Sequence, residues 1–181
     1  MSLDHDFLLL DHDTSLDDAS LMSFLRDPRA LHVHDILFGY MQDSLAFIPA
    51  FNPSLREQHH GLNRWGLTVI RKEGAEVATR VFQGWADLFA AGPPRIFLTG
   101  PYIFPSEEPG AEAASEPEGA PVPVSEAPPD PARIYVHHDY RGNHLRFDFD
   151  REAAVGLFRQ LADFCARITA DNRLFLLHIG I

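Results

Sequence analysis

The chain has 181 residues, 45% of them hydrophobic, which suits one domain with a proper core. Its formal net charge is −11. No Lys/Arg cluster supplies the basic footprint that phosphates require, so nucleic acid is excluded as the main ligand.

Phe7 to Leu10 predicts a short buried strand. Flanked by acids, it is too short for a secretory leader. Thr14 and Ser15 offer an N-cap, with Asp17 and Asp18 in the first turn of a helix. Leu16, Leu21, Phe24 and Leu25 form its apolar face, and Pro28 limits it. Residues 31–50 support two readings. One places strands at Ile36–Tyr40 and Leu45–Ile48, with a turn at Asp43-Ser44. The other is a helix over 33–47, and periodicity does not decide between them. Residues 56–64 look loop-like.

Leu67 to Ile70 is a strand by its β-branched content. A helix follows, with Val77, Val81, Trp85 and Leu88 on one face and Ala78, Phe82 and Phe89 beside them. Gly92-Pro93-Pro94 stops it, and Arg95 to Thr99 is the next strand.

Residues 105–132 hold eight of the fourteen prolines, seven acids and no Lys or Arg. Outside them 19 acids face 15 bases, so the remainder is only mildly acidic. A segment of this composition cannot bury enough surface to offset its ordering entropy. It is expected to be a flexible acidic, Pro-rich insert interrupting a single domain that spans 1–181.

Arg133 to Asp150 predicts a β-hairpin turning at Gly142-Asn143. A two-residue turn sets the register. Tyr140 then faces Leu145, His138 faces Phe147 and Val136 faces Phe149. On the other side Arg141 meets His144, Asp139 meets Arg146 and His137 meets Asp148. The last helix starts at Asp150 as its cap and buries Val155, Phe158, Leu161, Ala162, Cys165 and Ile168. Leu174 to Ile179 is then a strand apolar enough to be central in a sheet.

Segments 67–99 and 145–179 share the order strand, helix, strand. Phe82–Ala90 aligns with Phe158–Ala166 at four identical positions of nine, a weak internal β-α-β duplication. The fold class expected is α+β: a mixed, mostly antiparallel sheet with two or three helices packed mainly on one face.

Ten histidines are the compositional oddity that points toward metal or proton chemistry. In His32-Val33-His34-Asp35, a strand would put both histidines on one face, where with Asp35 they could share a divalent ion. Asp11-His12-Asp13 with Asp17-Asp18 has the carboxylates a hard cation favours, but capping of a helix explains it more simply. His59-His60 sits in a loop, His137 has Asp148 as a structural partner, and His178 in its apolar strand is expected to be a satisfied core histidine. Cys165, the only cysteine, is a core filler rather than a nucleophile. Gly-x-Ser-x-Gly, Gly-x-x-x-x-Gly-Lys and Gly-x-Gly-x-x-Gly are all absent from the sequence.

Arg64-Trp65 combines two residue types favoured in interface hot spots. The function expected is a non-enzymatic binding module of the bacterial cytosol, without cofactor or membrane contact, directed by its acidity to a basic protein partner. A toxin-neutralising, immunity-type protein fits that description. The alternative is a metal-dependent hydrolase using His32, His34 and a carboxylate such as Asp11, Asp13 or Asp35.

Overall fold

A computed structural model describes residues 4–25, 27–102, 137–141 and 144–180. The insert at 105–132, the Gly142-Asn143 turn and the pairing of Val136 lie outside the described residues. The elements are β1 (Asp4–Asp11), α1 (Asp18–Phe24), β2 (Leu31–His34), α2 (Asp35–Leu45), β3 (Pro49–Asn52), β4 (Glu57–His60) and β5 (Gly66–Ile70), followed by α3 (Lys72–Ala90) and β6 (Arg95–Tyr102). After the insert come β7 (His137–Arg141), β8 (His144–Asp150), α4 (Arg151–Ala170) and β9 (Leu174–Gly180). They form an α+β fold with a six-stranded sheet ordered β2-β1-β9-β5-β3-β4 and a three-stranded sheet ordered β6-β8-β7. The strand pairs of both sheets are antiparallel.

Side-chain alternation along β1 and β9 makes two cores, one on each face of the larger sheet. Phe7 of β1 and Leu176 of β9 face α2, α3 and α4, and join Phe38, Phe82, Phe89, Phe158 and Leu161. Leu8, Leu10, Phe175, Leu177 and Ile179 face the opposite way and are covered by Phe24 of α1 with Leu16 and Leu21. Three helices therefore lie on one face and one short helix on the other. Full burial of each such Phe or Leu contributes about 1.5–3 kcal/mol. The larger core draws on both sides of the insert, since Ile96 precedes it and Phe149 follows it.

The hairpin register is the predicted one: His137 pairs with Asp148, His138 with Phe147, Asp139 with Arg146, Tyr140 with Leu145 and Arg141 with His144. Asp148, expected to serve His137, accepts a hydrogen bond from Arg95 Nε of β6. Asp150 caps α4 by accepting from Ala153 N at 2.8 Å. The two strand–helix–strand units exchange strands: β5 pairs with β9, and β6 with β8. Each unit thus runs from one sheet to the other, and α3 and α4 pack on each other through Phe89 and Phe158, ring centroids 5.6 Å apart.

One open reading is decided in favour of the helix, and three expectations are corrected. Residues 35–45 are helical and the flanking segments 31–34 and 49–52 are strands. The buried positions Leu37, Phe38, Met41 and Leu45 repeat at helical spacing, and His34 Nδ1 accepts from Ile36 N to cap the helix. Asp17, not Thr14 or Ser15, caps α1 by accepting from Ser20 N. Glu57–His60 is an edge strand, and its exposed polar side chains hide the strand signal. The buried face of α3 is centred on Ala78, Phe82, Ala86 and Phe89, leaving Leu88 58% exposed.

Candidate functional site

The polar groups of the larger core converge where β1 begins and β9 ends. Along Asp4-His5-Asp6-Phe7, alternation puts His5 on the side of Phe7, under the helices, and Asp6 on the other. His178 lies opposite Phe7 in the β1–β9 register and opposite Thr68 in the β5–β9 register, so it joins His5 on that face. Asp35, first residue of α2, arrives there directly from the end of β2.

These groups form one chain of hydrogen bonds. His5 Nδ1 and His178 Nε2 are 2.9 Å apart. His5 Nε2 lies 3.0 Å from Asp35 Oδ1. Arg64 donates from Nε to Asp35 Oδ1 at 2.9 Å and from Nη2 to Asp35 Oδ2 at 2.6 Å, a bidentate pair. Asp35 is an acceptor, so His5 presents Nε2–H to it. His5 Nδ1 is then the acceptor for His178 Nε2–H, which leaves His178 Nδ1 as a buried lone pair without a partner.

Aromatic rings enclose the chain. The His5 ring stacks on Phe38 at 3.7 Å between centroids, 7° from parallel. His178 is 5.1 Å from Phe38 and 4.7 Å from Phe7. Both histidines are fully buried. Burial lowers the pKa of His5, and its bond to Asp35 offsets this only in part. Burial, reinforced by His5, holds His178 well below the ordinary histidine range. Burial alone would raise Asp35, but the hydrogen bonds from Arg64 and His5 outweigh it and keep the carboxyl below its usual range.

At the outer end, the Arg64 side chain is 42% accessible and Trp65 is 65% exposed. The segment carrying them is fastened to the sheet. Asn63 N donates to Thr68 Oγ1 and Asn63 Nδ2 to Leu67 O, both at 3.0 Å. Gly66 takes φ +90°, which suits glycine. Gly180 of β9 lies so close that a Cβ there would sit 2.4 Å from Arg64 O.

The residues singled out as metal ligands separate. His32 Nδ1 is 2.6 Å from Asp6 Oδ1 on the opposite face of the sheet. His34 caps α2. Asp35 is engaged by Arg64 and His5. Among the described residues, the group of three His, Cys, Asp or Glu side chains whose ligand atoms lie within 4.8 Å of one another is Asp11, His12 and Asp13, all exposed. His59 bonds His60 O through Nδ1 at 3.2 Å. Trp65 is largely exposed to solvent.

Sequence reasoning missed His5 and the link from Asp35 to Arg64. The signal for His5 was its place two residues before Phe7, on the apolar side of β1. Asp35 was grouped with His34 because they are adjacent, but the strand ends between them and the helix turns the carboxylate to the other face.

Both ring nitrogens of His5 are committed, and the carboxylate oxygens of Asp35 accept three hydrogen bonds. The arrangement is built to hold Arg64 in place. Comparison with protein-family models, curated proteins and solved structures returns no match to this chain.

Proposed function

We propose that this chain is a non-enzymatic protein-binding module whose contact surface centres on Arg64 and Trp65. The observation that carries the reading is the bidentate Arg64–Asp35 pair beside a Trp65 that is 65% exposed. Trp and Arg supply much of the binding energy of protein interfaces. An arginine already fixed by a buried carboxylate loses little side-chain freedom on association. Asp35 also cancels the charge of Arg64, so the surface does not repel a cationic partner. With a net charge of −11, the chain favours encounter with a basic protein. Neutralisation of a basic toxin in the bacterial cytosol is the specific form of this proposal.

The test is a photo-crosslinking amino acid placed at Trp65 and, as a control, at Leu88, which is 58% exposed on α3. The reading predicts a discrete adduct with one Lys/Arg-rich protein from position 65 and none from position 88. With that partner purified, Trp65→Ala and Arg64→Ala should each weaken binding at least about tenfold, the loss of one hot-spot residue. Unchanged affinity in both variants, or the same adduct from both positions, defeats the proposal.

A further inference from the structure

We propose that His5 is a proton-operated competitor for Asp35: on taking up one proton it replaces Arg64 as the counter-ion of that carboxylate and frees the Arg64 side chain beside Trp65.

One N–H lies between His178 and His5, one between His5 and Asp35, and two link Arg64 to Asp35. The one lone pair left open on the two rings is His178 Nδ1. An added proton can enter there while the proton between the rings passes from His178 Nε2 to His5 Nδ1. The positive charge then sits on His5, against Asp35, and His178 is neutral with its hydrogen on Nδ1. The proton count balances, and every contact between the rings keeps its geometry.

Asp35 then faces two cations with one negative charge. The groups around His5 decide which cation stays. β2 presents Val33 opposite His5, and β5 presents the uncharged Thr68. α2 presents Phe38 besides Asp35, and β9 presents His178. Asp6 of β1 is turned to the other face, where it holds His32. Asp35 is therefore the carboxylate hydrogen-bonded to His5, and Asp6 adds only a weaker attraction across the sheet. His5 is fully buried and stacked on Phe38, so it cannot carry its charge to water. Arg64 is 42% accessible and can. The surplus charge leaves with Arg64, the cation that loses least by it. Trp65 is the next residue, so its exposed ring senses the release of the Arg64 side chain while Asn63 and Gly180 keep the backbone in place. If the surface proposed above is the docking surface, acid weakens partner binding; that consequence alone rests on that reading.

The experiment is fluorine NMR of the whole chain labelled with fluorotryptophan, which reports Trp65 and Trp85 separately, alongside nitrogen-15 spectra of the histidines, from pH 8 to 5. The inference predicts a new Trp65 signal that grows as His5 becomes charged, with the same midpoint, while Trp85 and the far-ultraviolet dichroism stay unchanged. In His5→Asn the Trp65 transition disappears. If that variant does not fold, the shared midpoint in the unsubstituted chain still decides. A His5 that charges without any change at Trp65, or that charges only as both tryptophans and the dichroism collapse together, overturns the inference. Partner capture is read by the crosslinking experiment, so its failure leaves the Trp65 result standing and the reverse also holds.

Discussion

His5 Nδ1 and His178 Nε2 meet at 2.9 Å, joining the first strand of the fold to the last across 173 positions of sequence. Both rings are neutral in the folded chain because burial disfavours their charged forms. Stability must therefore depend on pH. The folded-state pKa of each histidine lies below its unfolded value of about 6.5, so below that pH the unfolded chain binds more protons than the native one. The contribution is complete above pH about 6.5 and is lost as pH falls from there toward the folded-state values. The slope is up to about 1.4 kcal/mol per pH unit for each histidine that resists protonation. Urea unfolding at pH 7.5, 6.5 and 5.5 should show the midpoint constant over the first step and falling over the second.

Asp35 and Arg64 are unequal partners. Asp35→Ala removes the acceptor of three hydrogen bonds and strands the buried His5 N–H. Its cost should be about 3 kcal/mol. Arg64→Ala leaves Asp35 bonded to His5 and removes a side chain that is 42% accessible, so about 1 kcal/mol is expected. Denaturant titration of both variants checks the order. A larger loss from Arg64→Ala than from Asp35→Ala would contradict it.

The glycines separate by contact. A Cβ at Gly180 would meet Arg64 O at 2.4 Å and Asn63 O at 2.6 Å, both backbone atoms that cannot step aside. Gly180→Ala should destabilise by about 2 kcal/mol or more and disturb the Trp65 segment. Gly84 and Gly156 lie in helices with nothing within 4 Å of the same point. Gly84→Ala and Gly156→Ala should each stabilise by about 0.5–1 kcal/mol. Thermal melts of the three variants read all of these signs.

Cys165 is fully buried in α4, and burial pushes its thiol up to about 12. A thiol-specific reagent at pH 8 should react only at the rate of unfolding, and at once in denaturant. Prompt labelling of the native chain would show that the core around α4 opens locally.

Much of the fold was legible because its signals are local. The turn expected at Gly142-Asn143 predicted the parity of the described β7–β8 pairs, His137–Asp148 to Arg141–His144. The stripe from Val155 to Ile168 and the cap at Asp150 marked α4, and the apolar run Leu174 to Leu177 marked β9 as central. α2 was ambiguous because Ile36, Leu37 and Phe38 are consecutive and strand-forming. Its helical period emerges only with Met41 and Leu45, which contact the core. β4 was hidden because an edge strand with no buried face carries no alternation. The site was half legible. Arg64, Trp65 and Asp35 were each singled out, but their grouping depends on which face of the sheet each side chain meets. That is set by pairing between β1, β2 and β9, which no short stretch of sequence encodes.

The central claim is that a neutral, hydrogen-bonded histidine pair backs the carboxylate that holds Arg64. Long-range proton–nitrogen correlation spectra of the histidines at pH 7.5 test it most directly. The account predicts that His5 and His178 are both neutral with the hydrogen on Nε2, and that Arg64→Ala shifts the His5 Nε2 signal through their shared partner Asp35. A charged His5 at that pH, a hydrogen on His5 Nδ1, or a His5 signal indifferent to Arg64→Ala would contradict it.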